Sequence, residues 1–211
     1  MSDLTTPSGV ASAHVDGYAL RHLPPQDQWP EMDWHSVPEL TTYPERMNCA
    51  VELLDKQAAI YGDRPVIHFE HAVWSYYNLL NMANRIAHVL VDELKVKPGD
   101  RVLLRAPNNP MYVAAWFAVM KVGAIGVATM PLLRAKELVY ITERANVEVG
   151  FCDDHLQEEL EITLARSKTL KRVIYFSNLG PRPDGDNLDA LIGSKPATFD
   201  TDDTAADDVC L

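Results

Sequence analysis

Apolar positions in the second half of the chain follow two alternating patterns. Short runs that are apolar throughout indicate buried β-strands, and longer segments with apolar residues every three or four positions indicate helices. The strand-like runs are 102–104, 124–129, 147–152 and 172–176, and the helical segments are 111–121, 134–146 and a segment capped by Asp153 or Asp154. Such strands pair in parallel, with helices on both faces. The pattern therefore predicts an α/β fold with a parallel sheet flanked by helices.

The preceding segment predicts two helices separated by a hairpin. The first helix begins after Asn48, a suitable N-cap, and ends at Gly62. Two short strand-like runs, 65–69 and 72–75, then predict a small antiparallel hairpin. Ser75 caps the second helix, whose apolar residues recur at three- and four-residue spacing.

Composition divides the chain into three parts. Residues 1–46 hold six of the fourteen prolines, so we predict an extended arm whose aromatic residues lie against the body. Residues 47–179 form the predicted α/β subdomain. Residues 180–211 form a predicted acidic loop, in which the stretch 184–208 holds eight acidic residues and one basic residue.

The net charge argues against two kinds of binding partner, and the hydropathy pattern argues against a membrane-spanning segment. The 211 residues carry a formal net charge of −11, which argues against binding to nucleic acid or to an anionic membrane. The apolar stretch 111–133 is long enough to cross a bilayer, but Lys121, two glycines and Pro131 divide it into a helix and a strand that are each too short to do so.

Three cysteines without a paired spacing predict free buried thiols in a reducing cytoplasm.

The sequence lacks the common catalytic motifs of α/β folds. It contains neither of the two glycine-rich phosphate loops nor the serine-nucleophile elbow. His68 with His71, and Cys152 with His155, have the spacing of half a metal site, but neither pair has a second half, so we predict no metal site. The residues alone therefore give no catalytic constellation.

Two groups of basic residues are candidates for attracting a phosphate group. They are Lys95, Lys97 and Arg101 in one group, and Lys168, Lys171 and Arg172 in the other. Both groups flank predicted turns, so we interpret them as solvated turn charges.

Five short motifs occur in a fixed order along the chain. They are Asp63-Arg64-Pro65, the run 74–79, the run 98–102, the loop 107–110 and the run 120–124 with its continuation 130–133. Their order and spacing resemble the opening of the adenylate-forming acyl-CoA synthetase superfamily. The sequences of residues 48–54 and 128–134 are most similar to those of the benzoate and 2-aminobenzoate CoA ligase branch. The resemblance covers nearly the whole chain from about residue 18.

The resemblance implies a two-step reaction in a full-length parent enzyme. A carboxylate, here an aryl acid, attacks the α-phosphate of ATP in the presence of Mg²⁺, and the CoA thiol then displaces AMP to form the thioester. In this family the phosphate loop, the adenine-facing aromatic residue, the ribose-binding aspartate and the catalytic lysine all follow the segment resembled here. We therefore expect the 211-residue chain to be an incomplete part of the fold, inactive alone and without bound ATP, Mg²⁺ or CoA.

The resemblance leaves few site residues in this chain. Asn108, Thr129 and Arg134 lie at predicted strand ends and are candidates for bordering the acid or pantetheine channel. No residue is predicted to be catalytic, cofactor-binding or metal-ligating. At position 78 the family usually has Glu, which completes a capping box with the residue at position 75. Here Asn78 replaces it, and we expect a weaker return hydrogen bond.

The sequence leaves three other functions open. The chain could be a stand-alone, non-catalytic α/β interaction module, or part of a ligase of the same superfamily that acts on a fatty or amino acid. A self-associating state is also left open. A nucleotide-binding module is the third alternative, and it predicts ATP binding that we do not expect.

Overall fold

Four of the six strands in the described residues form a central parallel sheet. The computed structural model describes residues 4–31, 36–40, 42–70, 72–177 and 187–211. The strands are β1 (Pro65–Phe69), β2 (Ala72–Ser75), β3 (Arg101–Arg105), β4 (Ile125–Thr129), β5 (Val149–Asp153) and β6 (Arg172–Phe176). The sheet order is β4-β3-β5-β6, and all three pairings are parallel. The antiparallel β1–β2 hairpin stands apart, so both strand predictions are confirmed.

Seven α-helices occur in the described residues, and the fourth, fifth and sixth connect the parallel strands, as the sequence predicts. They are α1 (Tyr18–Arg21), α2 (Lys56–Tyr61), α3 (Tyr76–His88), α4 (Pro110–Lys121), α5 (Ala135–Arg144), α6 (Gln157–Arg166) and α7 (Leu188–Ile192). A π-helical turn precedes α2 at Val51–Asp55, and another follows α3 at Val89–Glu93. The two helices predicted around the hairpin are therefore present, each with a widened turn at one end.

Apolar side chains leave the sheet on both faces. Val102 and Leu104 of β3 pack into a large core cluster with α3 and α4. Leu103, between them, packs into a second cluster with residues of α5, α6 and β6. Alternate side chains of a strand point to opposite faces, so β3, buried along its whole length, needs apolar partners on both sides. This explains why its central residues, 102–104, form a continuous apolar run.

The Pro-rich N-terminal arm is attached to the sheet through Arg101. The guanidinium of this residue donates to Asp16 Oδ2 at 2.7 Å and to the carbonyl oxygens of Gly99 at 2.8 Å and Ala145 at 3.0 Å. It also lies over the ring of Tyr18, 4.6 Å from the centroid. Arg101 is buried, so its interpretation as a solvated turn charge is wrong. The reason is that the arm covers the turn and supplies the counter-charge.

The C-terminal residues pack against α3, the end of α4 and the segment that precedes the π-helical turn Val51–Asp55. Met47 N donates to Thr204 O at 2.9 Å, and Asp202 N donates to Lys121 O at 2.9 Å. Asn84 Nδ2 donates to Ala197 O at 2.7 Å. Residues 187–211 of the predicted acidic loop thus pack on the body, whereas its residues 180–186 lie outside the described residues.

One buried charge and the three thiols complete the core. Lys121 has no exposed side-chain surface, and its Nζ donates to both carboxylate oxygens of Asp55 at 2.6 and 2.7 Å.

Of the three cysteines, Cys152 is buried, whereas Cys49 and Cys210 lie closer to the surface and are half-buried. The prediction of three buried thiols is therefore wrong for two of them. None of the helices in the described part of the chain has the length and apolarity needed to span a bilayer.

Candidate functional site

The carboxyl ends of the parallel strands are the natural place for a ligand in this fold. Arg105, Thr129, Asp153 and Phe176 are the last residues of the four sheet strands. The loop 106–109 and the loop 130–134 leave the sheet at this edge. We therefore built the candidate site from these strand ends and the loops that follow them.

The three channel candidates differ in how free they are to meet a ligand. Asn108 is exposed in the loop after β3. Thr129 is buried, and its hydroxyl donates to Leu104 O at 3.2 Å. Arg134 is 77% exposed, and its Nη1 lies 2.9 Å from Glu159 Oε1. All three lie after or at the end of a strand, as predicted, but the Thr129 hydroxyl already has a backbone partner.

Arg105 organises the loop after β4, and the sequence analysis missed it. Its side chain is among the largest that are fully buried. Nη1 donates to Met130 O at 2.9 Å, and Nη2 donates to the carbonyl oxygens of Pro131 at 3.0 Å and Leu133 at 2.9 Å. Burial lowers the pKa of this guanidinium. A charged residue at the end of an apolar strand was the available signal, since such a residue needs polar partners close by.

With its backbone held by Arg105, the loop presents apolar side chains to solvent. Met130 is 65% exposed and Leu132 is 82% exposed. The loop is thus fixed at its carbonyl groups while two large side chains stay free. Exposed apolar side chains on an ordered loop are suited to contact an apolar ligand or another part of a larger protein.

A second polar network surrounds the end of β5. Asn109 Nδ2 donates to Asp153 Oδ2 at 2.9 Å, and the backbone N–H of His155 donates to Asp153 Oδ1 at 3.0 Å. The His155 ring lies 2.9 Å from Asp153 and 3.0 Å from Asp154. Its hydrogen bond with Asp153, together with the charges of both carboxylates, raises the pKa of His155. Asp153 therefore caps the 3-10 turn Asp154–Leu156 that leads into α6, and it also links two loops.

The cysteine next to this network does not join it as a ligand. Burial raises the pKa of the Cys152 thiol to about 12, and its Sγ lies 3.1 Å from the Asp153 carbonyl oxygen. The atoms in this region that could ligate a metal and that lie close together belong to Asp153, Asp154 and His155. They lie within 4.8 Å of one another. Both Asp153 oxygens already accept hydrogen bonds. The spacing of Cys152 and His155 therefore does not produce a half-site.

These residues do not fit an ATP·Mg²⁺ site. A triphosphate needs converging backbone N–H groups and a cation with free donors. At this edge, within the described ranges, Arg105 donates to three carbonyl groups and Arg134 pairs with Glu159. The backbone N–H of Ala135, at the start of α5, already donates to Glu159 at 2.7 Å. We therefore derive no nucleotide step through these groups.

Comparison with known proteins adds relatives of known activity. A crotonobetaine/carnitine–CoA ligase of Salmonella agona is 28% identical over 167 residues, which cover 73% of this chain and 32% of the relative. A salicyl-AMP ligase/salicyl-S-ArCP synthetase of Mycobacterium tuberculosis is 37% identical over 128 residues, covering 57% of this chain and 21% of the relative. This chain thus spans a third or less of their length.

A solved structure shares the fold. The crystal structure of an anthranilate CoA ligase in complex with anthranoyl-AMP superimposes with a TM-score of 0.74 at 21% identity. The match covers 85% of this chain and 33% of that chain. The parallel sheet and its flanking helices are therefore those of the N-terminal part of an adenylate-forming ligase.

The family assignment depends on a match that is longer than the individual motifs. Residues 54–211 match the AMP-binding enzyme family. This range includes the whole parallel sheet, the loop held by Arg105 and the network around Asp153. Since the match covers more than half of the chain, this chain belongs to the AMP-binding enzyme family.

Proposed function

We propose that this chain supplies the N-terminal α/β part of an AMP-forming ligase that activates an aryl carboxylate and transfers it to CoA. The observation that carries the proposal is the family match over 54–211. The choice of an aryl acid is supported by the salicyl-AMP ligase, which has the higher identity of the two relatives described above. The carnitine relative supports CoA as the acceptor.

The chain alone is proposed to be inactive in this reaction. Acyl adenylation requires groups that stabilise the charge that develops on the transferring phosphate. Across the described residues of the carboxyl edge, the arginines have protein partners, and the sequence lacks a glycine-rich phosphate loop. ATP, Mg²⁺ and CoA would therefore be bound mainly by parts of the enzyme other than this chain.

ATP–pyrophosphate exchange tests the proposed substrate class. A complete ligase that carries this chain is assayed with benzoate and 2-aminobenzoate, and with octanoate and an amino acid as controls. We expect exchange with the aryl acids that exceeds the controls by about 100-fold, equivalent to roughly 3 kcal/mol of discrimination. Preference for octanoate or for the amino acid would favour the other ligase alternatives.

The same assay on the 211-residue chain tests its inactivity. We expect no exchange above the protein-free background, and no ATP binding by calorimetry. Measurable exchange would contradict the proposal directly. A complete reading frame that shows no exchange with any acid would instead favour the interaction module.

Two loop residues are proposed to border the acid or pantetheine channel of the complete enzyme. Asn108 and Arg134 are both exposed at the carboxyl edge. In the complete ligase, we expect Asn108→Ala or Arg134→Ala to raise KM for the acid or for CoA by several-fold. Lys171→Ala is the matched control, since Lys171 is also exposed but pairs with Glu148 at the opposite end of the strands.

A further inference from the structure

The side chains of Cys49 and Cys210 line the same cavity, although the two residues lie far apart in the sequence. Both cysteines line one small cavity with a volume of about 20 Å³, which has room for no more than a single water molecule. Burial, followed by the Cys49 thiol, raises the pKa of the Cys210 thiol, as expected of two thiols that line the same cavity. Both residues are half-buried, in contrast to Cys152.

Backbone pairing orders the segments 45–47 and 204–206, which lead to the two cysteines. Met47 N donates to Thr204 O at 2.9 Å, and Ala206 N donates to Glu45 O at 2.9 Å. Thr204 Oγ1 donates in return to Met47 O at 2.8 Å. The two segments pair antiparallel, with Arg46 opposite Ala205, so the chain turns at 205–208, where Asp208 N donates to Ala205 O at 3.0 Å, before Cys210 reaches the cavity that Cys49 also lines.

Each cysteine is also fixed from its other side. Asn48 Nδ2 donates to Met120 O at 2.7 Å and to Asp202 O at 3.1 Å, and its Oδ1 accepts from Ala50 N at 2.9 Å. The carbonyl oxygen of Cys210 accepts from Gly126 N at 2.9 Å. Both cysteines are therefore held beside the shared cavity by ordered backbone.

We propose that Cys49 and Cys210 are an oxidisable dithiol pair that closes to an intramolecular disulfide when the protein meets a peroxide or a disulfide oxidant. A disulfide needs two sulfur atoms that approach each other without distortion of the backbone. The shared cavity places both side chains against the same small space. The pair belongs to the packed body and does not depend on the proposed ligase activity.

With a peroxide the reaction balances in two steps. The Cys49 thiol loses its proton and its sulfur attacks one peroxide oxygen, so the O–O bond breaks and a sulfenic acid and one water form. The Cys210 sulfur then attacks the sulfenic sulfur, the S–O bond breaks, and the oxygen leaves with the Cys210 proton as a second water. The two thiols lose two electrons, which reduce the peroxide.

With oxidised glutathione, the Cys49 sulfur attacks one glutathione sulfur, the glutathione S–S bond breaks, and one glutathione leaves as a thiol with the Cys49 proton. The Cys210 sulfur then attacks the Cys49 sulfur of this mixed disulfide, and the second glutathione leaves as a thiol with the Cys210 proton.

The order of these steps follows from the surroundings of Cys210. Burial, followed by the neighbouring Cys49 thiol, raises the pKa of Cys210 to about 11. Little Cys210 thiolate is therefore present at neutral pH, and the thiolate is the attacking form. We assign Cys49 to the first attack and Cys210 to the second.

Cys152 is an internal control within the same chain. It is fully buried in the second core cluster, and burial raises its pKa to about 12. A general oxidation of an unfolded chain would consume all three thiols in mixed pairs. A specific reaction would leave Cys152 as the one remaining thiol.

Thiol counting and peptide mapping test the proposal on the 211-residue chain. The protein is incubated with hydrogen peroxide or with oxidised glutathione, denatured, and labelled with a maleimide. We expect the number of labelled thiols to fall from three to one, with a mass lower by two hydrogen atoms. A tryptic map should show Cys49 linked to Cys210, and dithiothreitol should restore all three thiols.

Three variants make the result specific. Cys152→Ser should form the same disulfide, whereas Cys49→Ser and Cys210→Ser should form none. Circular dichroism checks that each variant folds, and the map of the unsubstituted protein decides if one does not. Three free thiols after prolonged exposure, disulfides between two chains, or a bridge that includes Cys152 would each overturn the proposal.

Discussion

Lys121 shows how much the surroundings of one residue determine what a charge does. In the sequence it is the single charge in an apolar stretch, while in the fold its ammonium is fully buried against Asp55. Asp55 keeps 30% of its side chain exposed. The two partners of the ion pair therefore differ in what they can do when the other is removed.

Removal of Asp55 should cost more stability than removal of Lys121. In Asp55→Ala the buried ammonium loses its counter-charge, and we expect the free energy of unfolding to fall by about 3–5 kcal/mol. In Lys121→Met an apolar chain fills the site and Asp55 can turn to water, so the loss should be smaller. Urea denaturation of both variants measures the difference. An equal or reversed ranking would show that the pair is not buried as described.

His14 gives a second residue-scale prediction, concerning pH. Burial is the main cause that lowers its pKa, and the charge of Arg101 adds to it against the opposing charges of Asp208 and Asp16. The unfolded histidine takes up a proton as the pH falls through about 6.5, while the folded one resists protonation. Stability linked to His14 is therefore intact above that pH and is lost below it.

The substitution His14→Gln should make stability less dependent on pH. We expect the drop in unfolding free energy between about pH 7 and pH 5 to be smaller in this variant than in the unsubstituted protein. His68→Gln is the control, because His68 lies exposed in the hairpin. Guanidinium denaturation at several pH values measures the slopes. An unchanged slope in His14→Gln would contradict the assignment.

At the scale of elements, the start of α3 shows how a departure from the family pattern is accommodated. Ser75 Oγ accepts from Asn78 N at 3.2 Å, and Asn78 Oδ1 accepts from Ser75 N at 3.1 Å. The shorter side chain of Asn78 therefore completes the capping box that a Glu usually forms.

Substitutions at this cap should have graded effects. Ser75→Ala removes the acceptor for a helix N–H and should lower the unfolding free energy by about 1 kcal/mol. Asn78→Glu keeps the return bond and should change it by less than about 0.5 kcal/mol. Thermal denaturation followed by circular dichroism distinguishes the two. A larger effect for Asn78→Glu than for Ser75→Ala would show that the family residue no longer fits this helix.

The loop after β4 depends on Arg105 in the same way. Arg105→Met removes three hydrogen bonds to loop carbonyls, and we expect the amides of 130–133 to exchange with solvent at least about tenfold faster. Arg134→Met, on the exposed side of the same loop, is the control. Hydrogen exchange followed by mass spectrometry measures both. Equal protection in the two variants would mean that the loop is held by other contacts.

The pattern of apolar residues predicted most elements because each pattern is local. β6 has the predicted bounds, and α4 begins after the predicted cap Asn109. The order β4-β3-β5-β6 was not predictable in the same way, since strand pairing depends on contacts between distant segments. Arg101 was misinterpreted for the same reason, because its partner Asp16 is supplied by the arm.

The candidate site was predictable only in its position. Strand ends follow from the pattern, so the sequence placed Asn108 and Arg134 at the correct edge of the sheet. The contacts of Arg105 and the network around Asp153 join different loops, and their formation depends on how the loops meet. The sequence therefore located the edge without showing which of its side chains are already paired.

At the scale of the whole molecule, β4 lies at the edge of the sheet. Beside it runs an apolar groove lined by residues that include Trp116, Val127, Ala128 and Leu211. A strand edge next to exposed apolar surface is a template for pairing with another chain. We therefore expect the isolated chain to self-associate as its concentration rises.

A lysine on this edge should weaken the association. Ala128 is exposed in β4, and Ala128→Lys places a charge in the groove without removing a core contact. Ala165→Lys adds the same charge at an exposed position of α6 and is the matched control. Sedimentation velocity over a concentration series should show less association for Ala128→Lys alone. Equal behaviour of both variants would assign the association to another surface.

The hydrogen bonds between Asn48 and Asp202 and between Met47 and Thr204 have a consequence for the order of events during synthesis. A ribosome makes Asn48 early and Asp202 late. The helical segment after Asn48 therefore cannot form its contacts with residues 202–204 until most of the chain has emerged. Contacts between such distant segments form slowly, because a long loop must close first. The helical segment that follows Asn48 is therefore made early but is among the last elements to be fixed in place.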